Sequence, residues 1–163
     1  MKIRQVELND AAQIAEIYNY YILNTHHTFE TEALSEDEMR ERIAEISEQY
    51  PYLVAEFDGM IQGYVYAVQF KLRQAYKHSV EVSIYVRNQA KQKGIGSELY
   101  NILLEKFEDT DIHAIIASIA LPNDASIRFH EKLGYEKVAH FREVGYKLGR
   151  WVDVGFWEML NRI

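Results

Sequence analysis

The chain has 163 residues, an apolar fraction of 48%, a charged fraction of 26% and a net charge of −7 at pH 7. This length and composition predict one globular domain, residues 1–163, with a substantial core. The acidic balance argues against a nucleic-acid or anionic-membrane surface, and no stretch approaches the ~20 apolar residues of a membrane span. The chain has no cysteine, which excludes disulfides and a thiolate nucleophile. Its first residues contain no apolar signal-peptide region, so a cytoplasmic location is expected.

A strand and two helices are predicted in the first third of the chain. Met1–Leu8 alternates loosely, which is typical of a strand, and Asn9 or Asp10 is expected to cap the helix that follows. Ser35-x-x-Glu38 is a capping box and predicts the start of a second helix. This helix is expected to end before Pro51.

The segment between these two helices is polar but contains three ring side chains, His26, His27 and Phe29. It is compatible with a plain connection and also with a loop that walls a site. The two histidines have no third ligand at a metal-like spacing, so no metal site is predicted.

A hairpin and a basic segment precede the centre of the chain. Tyr52–Phe57 and Met60–Phe70 are predicted strands, joined by an Asp58-Gly59 turn. Lys71–Lys77 is basic and interrupts the alternation of apolar and polar residues. Most such runs are solvated surface loops.

The centre of the chain predicts a strand, a glycine loop and a helix in direct succession. Apolar and polar side chains alternate along Val80–Val86, and apolar residues at helical spacing follow Lys91-Gln-Lys-Gly94-Ile-Gly96. Backbone amides at a helix N-terminus suit a phosphate or pyrophosphate, and glycines allow close approach. A tight strand-to-helix turn also needs glycine for backbone reasons alone, so this pattern leaves both interpretations open.

An apolar strand suited to a sheet interior, a short helix and an antiparallel pair of strands are predicted in the last third. The strand is Ala114–Ile119, and Asn123 or Asp124 is expected to cap a helix that Gly134 ends. The final pair is Glu136–Val144 and Trp151–Leu160, joined by a loop at Gly145–Arg150.

Together these elements predict a mixed α/β domain, with too many hairpins for a doubly wound parallel sheet. The first strand-to-helix connection lacks G-x-G-x-x-G, which excludes a Rossmann nucleotide site. No Gly-Lys-Ser/Thr follows the glycine pair, which excludes a Walker A loop.

Two motifs in this order of elements resemble the GNAT acyltransferase superfamily. One is the Lys-x-x-Gly-x-Gly loop after the central strand, and the other is Asn123-x-x-Ser126-x-x-Phe129-His130-x-x-x-Gly134-Tyr135. The resemblance implies a mixed, mostly antiparallel sheet of about seven strands flanked by about four helices. It also implies acetyl-CoA as the acyl donor.

A closer resemblance, to the phosphinothricin and methionine sulfoximine N-acetyltransferase family, extends over nearly the full chain. It is most specific in Trp151-x-Asp153-Val-Gly-Phe-Trp157, and Tyr50-Pro-Tyr-Leu-Val-Ala-Glu56 agrees with it. Lys91 stands where the family usually has Gln or Arg. Because backbone amides do the binding there, this departure leaves the cofactor prediction intact.

The resemblance also implies which residues contact acetyl-CoA. The loop amides would hold the pyrophosphate, while the end of the central strand and the capped helix would line the pantetheine arm. The residues concerned are Ile84, Tyr85, Val86, Lys91, Gln92, Lys93, Gly94, Ile95, Gly96, Ser97, Asn123 and Ser126.

Glu81 is the candidate general base. Acyl transfer needs a neutral amine, whereas an α-amino group is mostly protonated at neutral pH, so a base must remove a proton. Glu81 lies on the central strand, on the face opposite Val80 and Val82, and matches a carboxylate of the family. The alternative is a solvent-facing carboxylate or one paired with Lys77.

His130 is the second catalytic candidate. The spacing of Ser126, Phe129, His130 and Leu133 places the histidine on the inward stripe of its helix. Most GNAT enzymes have a tyrosine there that protonates the CoA sulfur, whereas this subfamily has histidine. An imidazole serves as acid or base, but a lone inward histidine is also often a structural core residue.

An amino-acid-like acceptor needs a receptor for its carboxylate. Resemblance to the Lys-x-Arg-x-Ala-Tyr segment of the family favours Lys71, Arg73 and Tyr76 over a plain solvated loop, because arginine binds carboxylates bidentately. Phe29, together with either Ser83 or Tyr85, would complete the pocket.

The resemblance finally implies a homodimer through the last strands, where Trp151, Phe156 and Trp157 lie. An intramolecular core role is equally compatible with Trp157. The predicted activity is acetyl transfer from acetyl-CoA to a small amino-acid-like acceptor, with no nucleic-acid or membrane partner. The alternatives are a GNAT enzyme for another amine and a non-catalytic CoA-binding dimer module.

Overall fold

The computed structural model of the protein describes residues 1–90 and 92–161. These residues form seven strands and four α-helices, which confirms the predicted mixed α/β class. In chain order the elements are β1 (Lys2–Gln5), α1 (Ala11–Asn24), α2 (Glu36–Gln49), β2 (Tyr52–Phe57), β3 (Met60–Gln69), β4 (Ser79–Val86), α3 (Ile95–Glu105), β5 (Ala114–Leu121), α4 (Asp124–Lys132), β6 (Glu136–Lys147) and β7 (Arg150–Leu160). No helix in the described ranges is long and apolar enough to cross a membrane.

The first of two compact units contains β1, β2, β3 up to Val68, the second part of β4, and helices α2 and α3, together with most of α1. Its strands follow the order β1–β2–β3–β4, and β2 is antiparallel to both β1 and β3. Stacked tyrosines fill part of the core, since the rings of Tyr52 and Tyr64 are buried with centroids 5.8 Å apart.

The first two helices begin in different ways. Ser35 and Glu38 form the predicted capping box, with the Ser35 amide donating to Glu38 Oε2 at 2.7 Å. The expected capping of α1 by Asn9 or Asp10 is wrong, because the helix follows directly on a 3-10 turn, Leu8–Asp10. The N-cap of this turn is Glu7, whose amide donates to the Asp10 carboxylate at 2.8 Å. The same carboxylate also binds the Arg4 guanidinium through two hydrogen bonds of 2.8 and 2.9 Å.

The second compact unit contains the first residues of β4, then β5, α4, β6 and β7, together with residues 21–33 and 69–78. Its strands follow the order β4–β5–β7–β6. β4 pairs with β5 in parallel through residues 79–81, and β7 is antiparallel to both β5 and β6.

The β6–β7 hairpin is longer than predicted. The expected loop at Gly145–Arg150 is mostly strand, and the turn is reduced to Leu148 and Gly149, with φ of 51° and 77°. Two residues with positive φ match the right-handed twist of a tight hairpin, which allows the strands to continue to the turn. The register shifts between Phe141 and Gly145, where β6 carries extra residues.

Candidate active site

The glycine loop of the first unit leads directly into helix α3. Gly94 is the N-cap residue, has φ of 82°, and provides no side-chain hydrogen bond to the helix. The Glu98 amide bonds to the Gly94 carbonyl at 3.0 Å, whereas the amides before it are the ones a helix leaves without intrahelical acceptors. An exposed glycine cap at the positive end of a helix dipole is chemically suited to an anion.

Gly63 on β3 allows this helix to pack closely against the sheet. A Cβ on Gly63 would lie 3.0 Å from the Tyr85 carbonyl oxygen and 3.1 Å from Ile95 Cγ2. Ile95 itself is buried. Its side chain therefore belongs to the core, and only its backbone is suited to a ligand.

The other cofactor candidates of this unit differ in exposure. Lys93 and Ser97 are exposed, whereas Gln92 and Gly96 are half-buried. On β4, the residues 83–86 are all half-buried, and the Tyr85 ring packs against Tyr18 at a centroid distance of 5.1 Å. Lys91 lies outside the described residues.

Arg87, which is not among the predicted site residues, anchors the end of β4. Its Nε donates to the Ile61 carbonyl at 2.9 Å, and its amide donates to the Gln62 carbonyl at 2.7 Å. Its guanidinium also pairs with Glu16 at 3.1 Å. These bonds fix the start of the glycine loop to β3.

In the second unit, Glu81 is half-buried and lies opposite Ile116 of β5. Burial raises the pKa of Glu81, and a hydrogen bond with Ser118 opposes that rise. A carboxylate with a raised pKa is a stronger base than an exposed one. Ser118 is not among the predicted site residues, because it lies in a strand predicted to be apolar.

His130 is 3% exposed, as its helical spacing predicted. Its Nδ1 lies 2.8 Å from the Ser126 carbonyl oxygen, and because a carbonyl only accepts, Nδ1 carries the proton. Burial lowers the pKa of His130, and the bond to Ser126 opposes that change. The neutral ring therefore carries its lone pair on Nε2.

Helix α4 begins at the predicted cap residue. The Asn123 side chain accepts a hydrogen bond from the Ser126 amide at 3.2 Å. Asn123 and Ser126 thus have structural roles at the start of the helix that bears His130.

Strand β7 supports the same helix through its tryptophan motif. Trp157 is 1% exposed, so it is a core residue, and its Nε1 donates to Glu131 Oε1 at 3.2 Å. Gly155 provides the space for this ring, because a Cβ there would overlap it. Asp153 accepts hydrogen bonds from His140 Nε2 at 2.7 Å and from the Glu143 amide at 2.8 Å, at the irregular part of β6.

Two predicted parts of the acceptor site, Phe29 and the segment 71–76, lie in this unit. Phe29 is 42% exposed and its ring lies against Gly145, where a Cβ would overlap it. Lys71 and Arg73 are exposed, and their carbonyls accept hydrogen bonds from the Gln69 side chain at 2.6 and 3.2 Å. Tyr76 packs edge-on against Phe70 with the ring centroids 5.9 Å apart.

The sequence profile of the family described as "Acetyltransferase (GNAT) domain" matches residues 3–156, which is most of the chain. The chain belongs to the GNAT acetyltransferase family. It is therefore an N-acetyltransferase by family, and the seven strands and four helices of its described residues agree with the architecture that the resemblance implied.

Two relatives and one solved structure illustrate this membership. The GNAT chain is 39% identical to phosphinothricin N-acetyltransferase from Streptomyces viridochromogenes over 97% of its own length and 86% of the relative. It is 32% identical to the L-methionine sulfoximine/L-methionine sulfone acetyltransferase from Salmonella typhimurium, over 98% of this chain and 94% of the relative. The crystal structure of a phosphinothricin acetyltransferase from Sinorhizobium meliloti in complex with AcCoA superposes with a TM-score of 0.93, at 36% identity, over 98% of this chain and 87% of that chain.

The described residues place the GNAT site candidates in two groups. The glycine loop and residues 83–86 belong to the first unit, and Glu81, His130, Phe29 and the segment 71–76 belong to the second. Within residues 1–90 and 92–161, no group of three or more His, Cys, Asp or Glu side chains is placed to hold a metal ion.

Proposed function

We propose that the chain transfers the acetyl group of acetyl-CoA to the α-amino group of a small amino-acid analogue of the phosphinothricin or methionine sulfoximine class. The observation that carries this proposal is Glu81, a half-buried carboxylate with a raised pKa in a chain of the GNAT family. The names of relatives that match nearly the whole chain support the choice of acceptor class.

The glycine loop fits the pyrophosphate of acetyl-CoA. Gly94 leaves the first amides of α3 without a side-chain cap, and Lys93 beside it is exposed. In this proposal the amides from Gln92 to Ser97 bind the pyrophosphate, and residues 84–86 of β4 with Asn123 and Ser126 line the pantetheine arm. Bound acetyl-CoA supplies the thioester that the amine attacks.

Glu81 acts as the general base in this mechanism. It takes a proton from the ammonium form of the acceptor and generates the neutral amine. The hydroxyl of Ser118 holds the carboxylate in place. Because the chain has no cysteine, the usual covalent thiol carrier is absent, and we infer direct attack in a ternary complex.

His130 completes the proton transfers. A neutral imidazole with its lone pair on Nε2 does not donate a proton from that atom. His130 therefore takes the second amine proton at Nε2 as the C–N bond forms, and gives it to the sulfur as the C–S bond breaks. A lowered pKa disfavours a resting imidazolium that would donate its proton directly to the sulfur. In this proposal His130 therefore first accepts the amine proton and then passes it on.

The segment 71–76 is the receptor for the acceptor's carboxylate in this proposal. Its backbone is held by the Gln69 side chain while Lys71 and Arg73 remain exposed. Arg73 can bind a carboxylate with two parallel hydrogen bonds. Phe29 and Ser83 are proposed to contact the rest of the acceptor.

We also propose a homodimer through β6 and β7. This hairpin, including its turn, exposes large apolar side chains, among them Val138, Phe141, Val144, Tyr146, Leu148 and Trp151. An exposed apolar set of this kind is typical of an interaction surface.

A panel of acceptors tests the proposed function. Wild-type protein and acetyl-CoA are mixed with phosphinothricin, methionine sulfoximine, an aminoglycoside, a polyamine or a peptide with a free N-terminus, and CoA thiol release is measured. We expect the highest kcat/KM with the two amino-acid analogues. Transfer only to the other amines would contradict the acceptor class, and tight acetyl-CoA binding without any thiol release would indicate a non-catalytic module.

A further inference from the structure

Lys147, at the end of β6, is the one lysine among the described residues that is buried, with 4% exposure. Its Nζ donates a hydrogen bond of 2.6 Å to the Thr28 carbonyl oxygen. Burial lowers the pKa of Lys147, and the charge of Glu30 opposes that change. Because a buried ammonium is costly without partners, this bond is a specific link between the hairpin and the loop that bears Phe29.

A second link joins the same loop to the start of β7. Arg150 Nη2 lies 2.6 Å from His26 Nδ1, and His26 Nε2 lies 3.0 Å from the Pro122 carbonyl oxygen. A guanidinium only donates and a carbonyl only accepts, so Nδ1 accepts and Nε2 donates. His26 therefore connects the hairpin to the residue that precedes Asn123.

Phe29 provides the third link, because its ring lies against Gly145 two residues before Lys147. The hairpin thus contacts the loop through one charged hydrogen bond, one histidine bridge and one ring contact. These three contacts span residues 26–29, whereas Phe29 itself keeps 42% of its surface exposed. An exposed aromatic ring on a loop held at both sides is pre-organised for a ligand.

We propose that Lys147 is a positioning residue that, with Arg150 and His26, holds residues 26–29 so that Phe29 is presented to the acceptor. The inference rests on the proposed function, in which Phe29 contacts the acceptor. Lys147 acts through the loop and takes no part in the proton transfers. Its loss should therefore weaken use of the acceptor and leave the use of acetyl-CoA unchanged.

The test compares Lys147→Met, which keeps the aliphatic length and removes the donor, with the exposed control Lys2→Met. Amide hydrogen exchange of the unliganded protein should become faster in residues 26–29 of Lys147→Met only. The KM for methionine sulfoximine should rise about tenfold or more, as expected for a lost charged hydrogen bond. The KM for acetyl-CoA should stay at the wild-type value.

Arg150→Met is the second variant, because Arg150 is exposed and its loss does not threaten folding. It should give faster exchange around His26 and a smaller rise in the same KM. Unchanged exchange in both variants, or an equal rise of both KM values, would overturn the proposal. Failure of the proposed function is seen separately, as wild-type protein without turnover. That result also removes the positioning role, while the exchange data still report whether Lys147 holds the loop.

Discussion

Glu81 owes its raised pKa to where β4 places it. Burial raises the pKa of its carboxyl, and Ser118 provides a hydrogen bond that favours the ionised form. An exposed strand carboxylate would have neither feature. In the proposed mechanism this burial makes Glu81 a better base, and it also makes the charge of Glu81 unfavourable for folding. We therefore expect Glu81 to affect both activity and stability.

Replacement of Glu81 by Gln should lower kcat/KM for the acceptor by about 10²- to 10⁴-fold, the range for loss of a general base. The acidic limb in the pH profile of kcat/KM, which reports the ionisation of Glu81, should also disappear. Only the ionisation of the amine should then shape the profile. Steady-state rates between pH 6 and 9 measure both effects. Glu108→Gln, at an exposed position, is the control, and wild-type rates in Glu81→Gln would rule out the base assignment.

The same variant should be more stable than the wild type at neutral pH. Because the folded pKa of Glu81 lies above its unfolded value, the folded state binds the proton more tightly. Stability therefore falls as pH rises through the interval between the two pKa values. Glu81→Gln removes this loss, so its gain in Tm should be largest at neutral pH and vanish in acid. A Tm gain that does not depend on pH would contradict this explanation.

At the scale of elements, β7 supports the helix that carries His130. Trp157 fills the space left by Gly155 and donates a hydrogen bond to Glu131, the residue after His130. Lys137 of β6 lies over the same ring, with Nζ 5.2 Å from its centroid. The tryptophan motif thus connects the final hairpin to α4.

Gly155→Ala should destabilise the protein by about 1–3 kcal/mol, because the added methyl group overlaps the Trp157 ring. Denaturant titration measures this free energy of unfolding. In a Trp157→Phe background the smaller ring leaves room, so the same substitution should cost clearly less. Equal costs in both backgrounds would show that the ring does not explain the glycine.

At the scale of the whole molecule, the proposed homodimer depends on the exposed apolar residues of the β6–β7 hairpin. Trp151 is 62% exposed, and its ring lies edge-on against Tyr146 with centroids 5.0 Å apart. A buried charge without a partner strongly disfavours an interface. These two residues are therefore the place to test the proposed homodimer.

Trp151→Glu should convert a dimer into a monomer, whereas Leu8→Glu, at another exposed apolar residue, should not. Light scattering on a sizing column measures the mass, which should fall from twice 19.2 kDa to 19.2 kDa. A wild-type mass of 19.2 kDa would exclude the dimer at the concentration used.

The sequence by itself determined what depends on local pattern and local chemistry. Alternation and helical spacing predicted the strands and helices, and the Ser35 capping box and the Asn123 cap lie where they were expected. The spacing of α4 also predicted the burial of His130. These features need only residues a few positions apart, so they can be read from the chain.

The tertiary structure decided everything that depends on residues distant in sequence. Ser118 lies 37 residues after Glu81 and becomes its partner only because β4 and β5 pair in parallel. Lys147 and Thr28 are 119 residues apart in the chain, and no local sequence pattern predicts their hydrogen bond. A polar side chain takes its partner, and hence its pKa and its role, from the elements packed around it, and that environment exists only once the chain has folded.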